Sequence, residues 1–477
     1  MPRDFKFLIG GEWVTRPNPI IIRNPLDNSV VGKVPKSNLE DVDLAVTEAE
    51  KGFEQMSQLP AHERGARLER VSEILALRNK EFTKIVTQEA GKTIQESMRE
   101  VERTVNTFKI AAEESKKMYG ETIPMDAVQG AEDRMAFTFR EPLGVIGAIT
   151  PFNFPLYLVA QKIAPALASG NAVVLKPASK TPLSALKLAE LLLEVGIPSH
   201  ALNVVIGEGD AIGERLVTNP RVKMISFTGS SEVGRTIMEK AGIKKITLEL
   251  GSNSAVILEA DANLEQAIPR CIKGAFGNAG QTCISIQRIY LHEDIFGPFK
   301  ESFLKGAAKL KTGNPIQENV DMGPMVGEEA AKRAEMWVQE AIRDGASLLF
   351  GGERTHSLMQ PTILTDVSPS MKIMQEEVFA PVVSLIPYKT LDQAILQVNH
   401  SAFGLQAGIY TSHINRALQA AKKLAVGGVM INEIPTWRAD HMPYGGVKES
   451  GIGREGIRYA MQEMTTLKLI VINLNHN

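Results

Sequence analysis

Hydrophobic and polar residues follow two different periods along the chain, and both are typical of an α/β protein. Residues 62–119 repeat apolar positions with the 3.6-residue period of surface helices. An earlier helix is expected to begin at Ser37-Asn38-Leu39-Glu40, which reads as a capping box. From Gly144 onward, short apolar runs alternate with helical segments. These runs cover residues 144–149, 172–175, 202–206 and 224–227. The alternation predicts a parallel, doubly wound sheet.

A second set of apolar runs follows Glu249 and predicts a second α/β domain. These runs cover residues 255–258, 286–291, 382–386 and 429–431. Residues 120–140 and 465–474 also look like strands, but they have too few neighbours to make a sheet of their own. We therefore expect them to add to the sheet of another subunit.

Composition and charge narrow the class of protein. The 477 residues are 44% hydrophobic and 23% charged, as in ordinary globular proteins. With 53 Lys and Arg against 55 Asp and Glu, and no basic block, nucleic acid is not an expected partner. The most apolar stretch, residues 145–175, is interrupted by polar residues and prolines, and the N-terminus lacks the apolar core of a signal peptide. We therefore expect no contact with a membrane.

The two cysteines are too few for a disulfide framework or a four-thiolate metal site. A reducing, cytoplasmic location and no metal are therefore expected. Cys283 lies among glycines and small polar residues that let the backbone expose a thiol, so it is a candidate nucleophile. The alternative is a buried structural cysteine. Cys271 aligns with Leu264 and Ile268 at helical spacing and is predicted to be core.

Two polar residues next to predicted strands are candidates for assisting a reaction at the nucleophile, one as a base and one as an oxyanion donor. Glu249 lies between two leucines at the end of an apolar run, where burial would raise its pKa toward that of a useful base. The alternative is an outward-facing glutamate. Asn153 follows a strand end, where open α/β sheets place ligands, and its amide could donate to an oxyanion. The alternative is a turn asparagine.

A possible phosphate site follows the strand that ends near Phe227. Gly229 and Ser230 precede a predicted helix whose N-terminus could receive a pyrophosphate, although the spacing is not the GxGxxG fingerprint. Lys176 ends another strand and has two interpretations, a ligand contact or a solvated side chain.

Together these segments resemble the aldehyde dehydrogenase family from Trp13 to the tail. The motifs are Thr150-Pro-Phe-Asn-Phe-Pro, Leu175-Lys-Pro-Ala-Ser, Phe227-Thr-Gly-Ser, Leu248-Glu-Leu-Gly, Gly280-Gln-Thr-Cys, Glu376-Glu-Val-Phe-Ala-Pro and Pro443-Tyr-Gly-Gly-Val-Lys-Glu-Ser-Gly-Ile-Gly-Arg-Glu. The resemblance implies that Cys283 attacks an aldehyde, that Asn153 and the Cys283 amide form the oxyanion hole, and that Glu249 activates the water that hydrolyses the resulting thioester.

The resemblance also implies a nicotinamide cofactor. The residues expected to bind it are Thr150, Phe152, Lys176, Ser179, Gly229, Ser230, Gly251, Glu377 and Phe379. In NAD-preferring relatives the position of Ser179 is usually glutamate, which repels a 2′-phosphate. Serine removes that repulsion and Lys176 and Lys180 add positive charge, so NADP is expected to be used at least as well as NAD. The alternative is that Lys180 points to solvent and Ser179 merely tolerates both cofactors.

The family's architecture implies the domain organisation of this chain. A Rossmann-like cofactor domain would comprise residues 1–119 and 141–247, and an α/β catalytic domain residues 248–440. Residues 441–464 would return to the cofactor domain. Residues 120–140 and 465–477 would form a small β oligomerisation flap, and the chain would assemble as a homodimer or homotetramer.

The resemblance is closest to members that act on small anionic or hydroxylated aldehydes, of the phospho, sulfo, semialdehyde or lactaldehyde type. Arg103, Tyr157, Arg438 and His441 are expected at the substrate mouth. The alternative for Arg103 is an ion pair with Glu100 or another carboxylate one helical turn away. Phe152, Ser252-Asn253 and Ala380 depart from the common pattern and indicate that substrate preference can differ.

Three other functions remain open at this point. A broad-specificity dehydrogenase would use the same site without an anion pocket. An inactive, structural member would be expected to lack Cys283 or Glu249, and both are present. A thiol esterase would not need Lys176, Ser230 and Glu377, so nicotinamide binding would distinguish it.

Overall fold

The structure is a computed structural model that describes residues 3–475. The first 114 residues contain short strands followed by four helices. The strands are β1 (Arg3–Asp4), β2 (Phe7–Ile9), β3 (Glu12–Val14), β4 (Ile20–Arg23) and β5 (Val30–Val34), and the helices are α1 (Leu39–Gln58), α2 (Ala61–Leu77), α3 (Asn79–Ala90) and α4 (Ile94–Glu114). Leu68, Val71 and Leu75 are buried on one face of α2, which confirms the helical period predicted from residue 62.

Helix α1 begins with a capping box, but the prediction of its residues was wrong by one position. Asn38, not Ser37, is the N-cap. Its side chain accepts from the Asp41 amide at 2.8 Å, and the Asp41 carboxylate accepts from the Asn38 amide at 2.9 Å. Asn and Asp fill these two positions as well as the more familiar Ser and Glu do. The Ser37 hydroxyl instead accepts from the Ile206 amide at 3.0 Å.

The middle of the chain alternates strands and helices as predicted. The elements are β6 (Thr122–Ile123), β7 (Arg134–Pro142), β8 (Val145–Ile149), α5 (Tyr157–Ala168), β9 (Ala172–Lys176), α6 (Leu183–Glu194), β10 (Leu202–Val204), α7 (Glu214–Thr218), β11 (Val222–Thr228), α8 (Ser231–Lys240) and β12 (Lys245–Glu249).

The remaining elements belong mostly to a second sheet and its helices. They are β13 (Ala255–Leu258), α9 (Leu264–Phe276), β14 (Arg288–His292), α10 (Glu293–Ala307), α11 (Glu328–Arg343), β15 (Ser347–Phe350), β16 (Arg354–Thr355), β17 (Leu358–Met359), β18 (Thr362–Thr365), α12 (Lys372–Gln375), β19 (Val382–Tyr388), α13 (Leu391–Asn399), β20 (Phe403–Gly404), β21 (Gln406–Tyr410), α14 (Ile414–Lys423), β22 (Gly428–Ile431), β23 (Val447–Lys448), β24 (Gly451–Ile452), α15 (Ile457–Glu463) and β25 (Thr465–Asn473).

The first large sheet has the order β10-β9-β8-β11-β12-β24, with the first five strands parallel. The chain runs outward from β8 through β9 to β10, and then returns to the other side of β8 at β11. The carboxyl end of this sheet therefore contains a switch point, where doubly wound sheets bind ligands. Ile149 pairs with Lys176 and Thr228 pairs with Glu249, which brings several predicted site residues to that end.

The second large sheet has the order β15-β18-β19-β14-β13-β21-β22 and is parallel except for β15. Its strands include all the apolar runs predicted after Glu249, so the expected second α/β unit is confirmed. Strand β24 comes from a later segment and pairs antiparallel with β12, Leu248 opposite Ile452. Residues 451–452 thereby form the edge of the first sheet, whereas the bounds 441–464 of the return segment stay a prediction.

Strands β25, β7 and β6 form a separate three-stranded sheet. Strand β25 pairs with β7 over nine residues, from Thr465 opposite Pro142 to Asn473 opposite Arg134. The expectation that these segments lack partners within one subunit was wrong, because they pair with each other. Residues 1–2 of the predicted cofactor domain and residues 476–477 of the predicted flap lie outside the described residues, and the exact domain boundaries stay a prediction.

Two features are absent from the described residues. None of the helices between residues 3 and 475 is long and apolar enough to cross a membrane. In the same residues, no group of three or more His, Cys, Asp or Glu side chains is arranged to hold a metal ion.

Candidate active site

Cys283 lies in a loop between α9 and β14 that has an unusual backbone. Asn278, Ala279 and Gly280 all have positive φ angles, of 52°, 52° and 69°. A Cβ on Gly280 would lie 2.0 Å from the Ala380 carbonyl oxygen, so only glycine fits there. The loop leaves the Cys283 thiol partly exposed, whereas Cys271 is fully buried in the core, as predicted.

Two cavities meet at Cys283. The larger has a volume of about 1260 Å³ and the smaller about 550 Å³. Of the residues that line them, Leu158 and Cys283 line both. The sulfur can therefore be approached from two sides, by two different molecules.

The larger cavity is bordered by most of the predicted cofactor residues. Gly229, Ser230, Gly251, Glu377 and Phe379 line it, together with Phe152. A Cβ on Gly251 would lie 2.4 Å from a Glu377 carboxylate oxygen, so the close approach of Glu377 requires glycine there. The Phe152 and Phe379 rings meet edge to face at 5.8 Å.

Glu377 and Ser230 each have a defined position in this cavity. The Glu377 carboxylate accepts from the Ser252 amide at 3.0 Å, and burial raises the pKa of Glu377 to about 7. Ser230 is the N-cap of α8, where its hydroxyl accepts from the Val233 amide at 3.4 Å. The N-terminus of α8, with its partial positive charge, therefore borders the cavity.

Thr150 directly follows β8, Lys176 ends β9 and Ser179 follows it, but none of the three lines the larger cavity. Thr150 Oγ1 is buried and has no hydrogen-bond partner among the described residues. Lys176 is buried, and this burial lowers its pKa to about 8. The Ser179 hydroxyl donates to the Gly207 carbonyl at 2.6 Å, whereas Lys180 is exposed.

Asn153 is buried on the loop between β8 and α5. Its Nδ2 group donates to the Gln281 carbonyl at 3.0 Å, two residues before Cys283, and its second N–H remains for a ligand. Its Oδ1 atom has no partner within the described part of the chain. The structure therefore brings Asn153 and the Cys283 loop together.

A buried ion pair holds the Asn153 loop in place. Lys92 Nζ donates to Glu100 Oε2 at 2.6 Å and to the Asn153 carbonyl at 3.1 Å. Glu100 Oε1 in turn accepts from the Leu156 and Tyr157 amides at 2.9 and 3.1 Å, at the start of α5. These bonds satisfy backbone groups that the helix leaves unpaired. Sequence reasoning did not identify Lys92 as a contact of the site.

Glu249 is buried next to a second carboxylate, Glu455. Neither Glu249 oxygen has a hydrogen-bond partner among residues 3–475. Burial, and then the neighbouring Glu455, raise the pKa of Glu249 well above its ordinary value. Glu455 accepts from Lys162 at 3.1 Å and from Arg438 at 3.3 Å. Despite burial, these two cations hold the pKa of Glu455 below its usual range.

Arg103, Tyr157 and Arg438, three of the four predicted substrate residues, line the smaller cavity, and their role stays a prediction. The alternative pairing of Arg103 with Glu100 is wrong, because Glu100 faces Lys92. Arg103 instead donates to Asp440 from Nε and Nη2, at 3.0 and 2.9 Å, and to the Tyr157 hydroxyl at 2.5 Å. The Tyr157 hydroxyl donates to Asp440 at 2.9 Å.

Arg438 is buried between two aromatic rings, with its guanidinium 3.8 Å from the Tyr444 centroid and 5.6 Å from that of Tyr157. Its Nε–H group is buried and unpartnered among the described residues. His441 is exposed and does not line either cavity, so the structure does not bring it to the other predicted substrate residues.

Tyr444 contacts the candidate nucleophile and was missed by sequence reasoning as a site residue. Its hydroxyl lies 2.9 Å from Cys283 Sγ. The only available signal was its place in the Pro443-Tyr-Gly-Gly motif, since the local sequence does not indicate a contact 161 residues away.

The molecule combines a doubly wound sheet, a cavity at the switch point of that sheet, and a thiol that lines both this cavity and a second one. These features define a class of two-substrate α/β enzymes. The sequence model of the Aldehyde dehydrogenase family matches residues 13–470. A 3-sulfolactaldehyde dehydrogenase of Priestia aryabhattai is 44% identical over 472 residues, which cover 99% of this chain and 98% of that protein.

Two solved structures are similar over nearly their whole length. Aldehyde dehydrogenase 21 from Physcomitrella patens, in complex with the reaction product succinate, superimposes with a TM-score of 0.97 at 39% identity, covering 100% of this chain and 99% of that one. Glyceraldehyde-3-phosphate dehydrogenase GapN from Methanocaldococcus jannaschii, complexed with NADP, has a TM-score of 0.93 at 42% identity, covering 96% and 100%.

The chain therefore belongs to the aldehyde dehydrogenase family. It is an NAD(P)-dependent oxidoreductase that acts on the aldehyde group of its substrate.

Proposed function

We propose that this enzyme oxidises a small anionic or hydroxylated aldehyde to its carboxylate, with Cys283 as the nucleophile. The observation that carries the proposal is the position of Cys283, where a cavity of about 1260 Å³ meets one of about 550 Å³. A cofactor and an aldehyde can therefore reach the sulfur at the same time. Proximity of this kind makes an otherwise bimolecular step effectively unimolecular.

The residues of the larger cavity fit a nicotinamide nucleotide. The helix N-terminus at Ser230 borders this cavity and suits an anionic group, and the Thr150 hydroxyl after β8 is buried without a partner among the described residues. The cofactor, when bound, supplies a hydride acceptor. Lys176, Ser179 and Glu377 would bind its ribose groups and Gly229 with Ser230 its pyrophosphate. Phe152 and Phe379 would border its nicotinamide ring.

The chemistry at Cys283 divides into two stages. The thiolate attacks the aldehyde carbon, and the carbonyl electrons move to an oxyanion that the Asn153 amide and the Cys283 backbone N–H stabilise. Loss of hydride from this adduct leaves a thioester on Cys283. Glu249 then removes a proton from a water molecule that attacks the thioester, and Cys283 leaves as the thiolate. Burial raises the pKa of Glu249, which makes its carboxylate a stronger base.

Substitution of Glu249 by glutamine separates the two stages. We expect a burst of reduced cofactor, equal to about one per active site, followed by turnover at least about a hundredfold slower, because general-base catalysis contributes roughly that much or more. Rapid-mixing absorbance of the reduced cofactor measures both phases. Cys283→Ser is the matched variant and should show neither phase while it still binds cofactor. Unchanged steady turnover in Glu249→Gln would mean that another group is the base.

Charge in the smaller cavity supports an anionic substrate. Arg438 lines the smaller cavity, and its guanidinium shares the Glu455 carboxylate with Lys162. The charge of Arg103 is instead compensated by Asp440. The unpartnered Arg438 Nε–H favours Arg438 as the group that binds an anion. A sulfonate, a carboxylate and a phosphate each have the required oxygen acceptors.

Arg438→Gln should therefore discriminate between substrates. A charge-assisted contact is worth roughly 1.5 to 3 kcal/mol, so kcat/KM for a sulfo, carboxylate or phospho aldehyde should fall about ten- to a hundredfold more than for propanal. Propanal serves as the control because it has no anionic group. An equal loss with both kinds of substrate would indicate a broad-specificity enzyme without an anion pocket.

We propose that the enzyme prefers NADP or uses NADP and NAD equally well. Ser179 places no carboxylate beside the adenosine ribose, and its hydroxyl oxygen can still accept a hydrogen bond while it donates to Gly207. Lys176 is close to the same strand ends and carries charge below its pKa of about 8. Exposed Lys180 is free to move toward a 2′-phosphate.

Ser179→Glu should lower kcat/KM for NADP by at least about tenfold relative to NAD, because a carboxylate repels the 2′-phosphate.

In the wild type, the preference for NADP should decline as the pH rises past about 8, where free Lys176 loses its proton. Initial rates with both cofactors between pH 6.5 and about 9.5 measure both effects. A wild type that prefers NAD about tenfold would contradict the proposal.

We infer that the enzyme is a homo-oligomer assembled through the sheet of β25, β7 and β6. Leu467, Leu469 and Val471 lie on one face of β25 and are 55%, 55% and 48% exposed. An exposed apolar strand of this length is typical of an interface. Strand β22 ends the second large sheet and could receive such a strand from a second copy.

Leu469→Lys should weaken this assembly. We expect light scattering after size-exclusion chromatography to give a dimer or tetramer for the wild type and a smaller species for Leu469→Lys at low micromolar concentration. Thr466→Lys, on the opposite face of β25, is the matched control. A monomeric wild type would refute the inference.

A cytoplasmic location is proposed from the chemistry of the two cysteines. Both Cys271 and Cys283 are free thiols, and the proposed mechanism needs Cys283 reduced. Reducing compartments maintain thiols in this state.

A further inference from the structure

Cys283 and Tyr444 form a side-chain hydrogen bond at the centre of the site. The Cys283 sulfur lies 2.9 Å from the Tyr444 hydroxyl oxygen, and among residues 3–475 neither atom has another hydrogen-bond partner. Tyr444 is only 3% exposed, so water competes weakly for this bond. The mechanism derived above does not use the Tyr444 hydroxyl.

Tyr444 is held rigidly in this position. Its amide donates to the Glu455 carbonyl at 3.0 Å, and the Glu455 amide donates to the Tyr444 carbonyl at 2.7 Å. Its ring packs on the Arg438 guanidinium at 3.8 Å and against Ile284 and Leu405. The hydroxyl is thus aimed at the sulfur before any substrate binds, and such a preorganised donor needs no reorganisation during the reaction.

The direction of the bond follows from the protonation state of the sulfur. A thiolate has no proton, so in the reactive form the Tyr444 hydroxyl is the donor and the sulfur the acceptor. Burial raises the pKa of the Cys283 thiol, and the bond from Tyr444 opposes that rise. A hydrogen bond to an ionised acceptor is about twice as strong as one between neutral groups.

We propose that Tyr444 is a catalytic residue that activates Cys283 by donating a hydrogen bond to its thiolate. The proposal rests on the proposed role of Cys283 as the nucleophile. When the sulfur electron pair forms the bond to the aldehyde carbon, the carbonyl π electrons move to oxygen and the Tyr444 proton stays on its phenol. The sulfur then bears no charge, and the hydrogen bond weakens.

The test is the pH dependence of Cys283 alkylation by iodoacetamide, with no aldehyde or cofactor present. Tyr444→Phe keeps the ring on Arg438 and removes only the hydroxyl. The midpoint of alkylation is the pH at which the rate is half of its maximum, and we expect it to rise by about one pH unit in the variant. At pH values below the midpoints of both wild type and variant, the variant should therefore react about tenfold more slowly. At pH values above both midpoints it should react as fast or faster, because a less stabilised thiolate is a better nucleophile.

Peptide mass spectrometry assigns the label to Cys283 rather than Cys271. Tyr459→Phe, on α15, is the matched control and should leave the midpoint unchanged. An unchanged midpoint in a Tyr444→Phe variant that still binds cofactor would overturn the proposal. A purely structural role would lower the amount of folded enzyme without moving the midpoint.

A second measurement covers the case in which Tyr444→Phe does not fold. Incorporation of 3-fluorotyrosine at position 444 keeps the hydroxyl and makes it a stronger donor, so the alkylation midpoint should fall. A midpoint that stays the same or rises would contradict the proposal. Because alkylation needs no turnover, this result is independent of whether Cys283→Ser abolishes aldehyde oxidation, which tests the proposed function separately.

Discussion

Glu455 holds together helix α5, the loop after β22 and the segment that contains Tyr444. It accepts from Lys162 on α5 and from Arg438 on the loop after β22, and its backbone pairs with that of Tyr444. Burying one carboxylate is tolerated because two cations satisfy it. The same arrangement leaves Glu249 with no partner of its own and beside a negative charge, which adds to the effect of burial in raising its pKa. Arg438, Tyr444 and Glu249 thus all depend on one ion-pair cluster.

The architecture of the site could be predicted from local sequence because strand ends converge. Thr150, Lys176 and Gly229 each follow or end an apolar run, and parallel strands place their carboxyl ends at one edge of a sheet. The alternation of runs and helices was sufficient to predict both large sheets. The helical period of residues 62–119 was equally informative, because it depends on burial of one face and not on a particular partner.

Side-chain partners could not be predicted in the same way. Arg103 was expected to pair within its helix or to face substrate, whereas its partner Asp440 is 337 positions away. Lys92 bonds to Asn153 across 61 positions, and Tyr444 bonds to Cys283 across 161. Periodicity gives the buried face of an element but not which polar group meets it from another element. His441 illustrates the converse, because a chemically dense loop does not indicate which of its side chains turns inward.

The meeting of two cavities at Leu158 and Cys283 has a consequence for how such an enzyme can diversify. Apart from these two residues, the two cavities have different lining residues. If aldehyde and nucleotide occupy them as proposed, most substitutions in the wall of one cavity change one of the two binding preferences and not the other. A single scaffold can acquire new aldehydes by exchange of a few wall residues, whereas a change at Leu158, which lines both cavities, alters both.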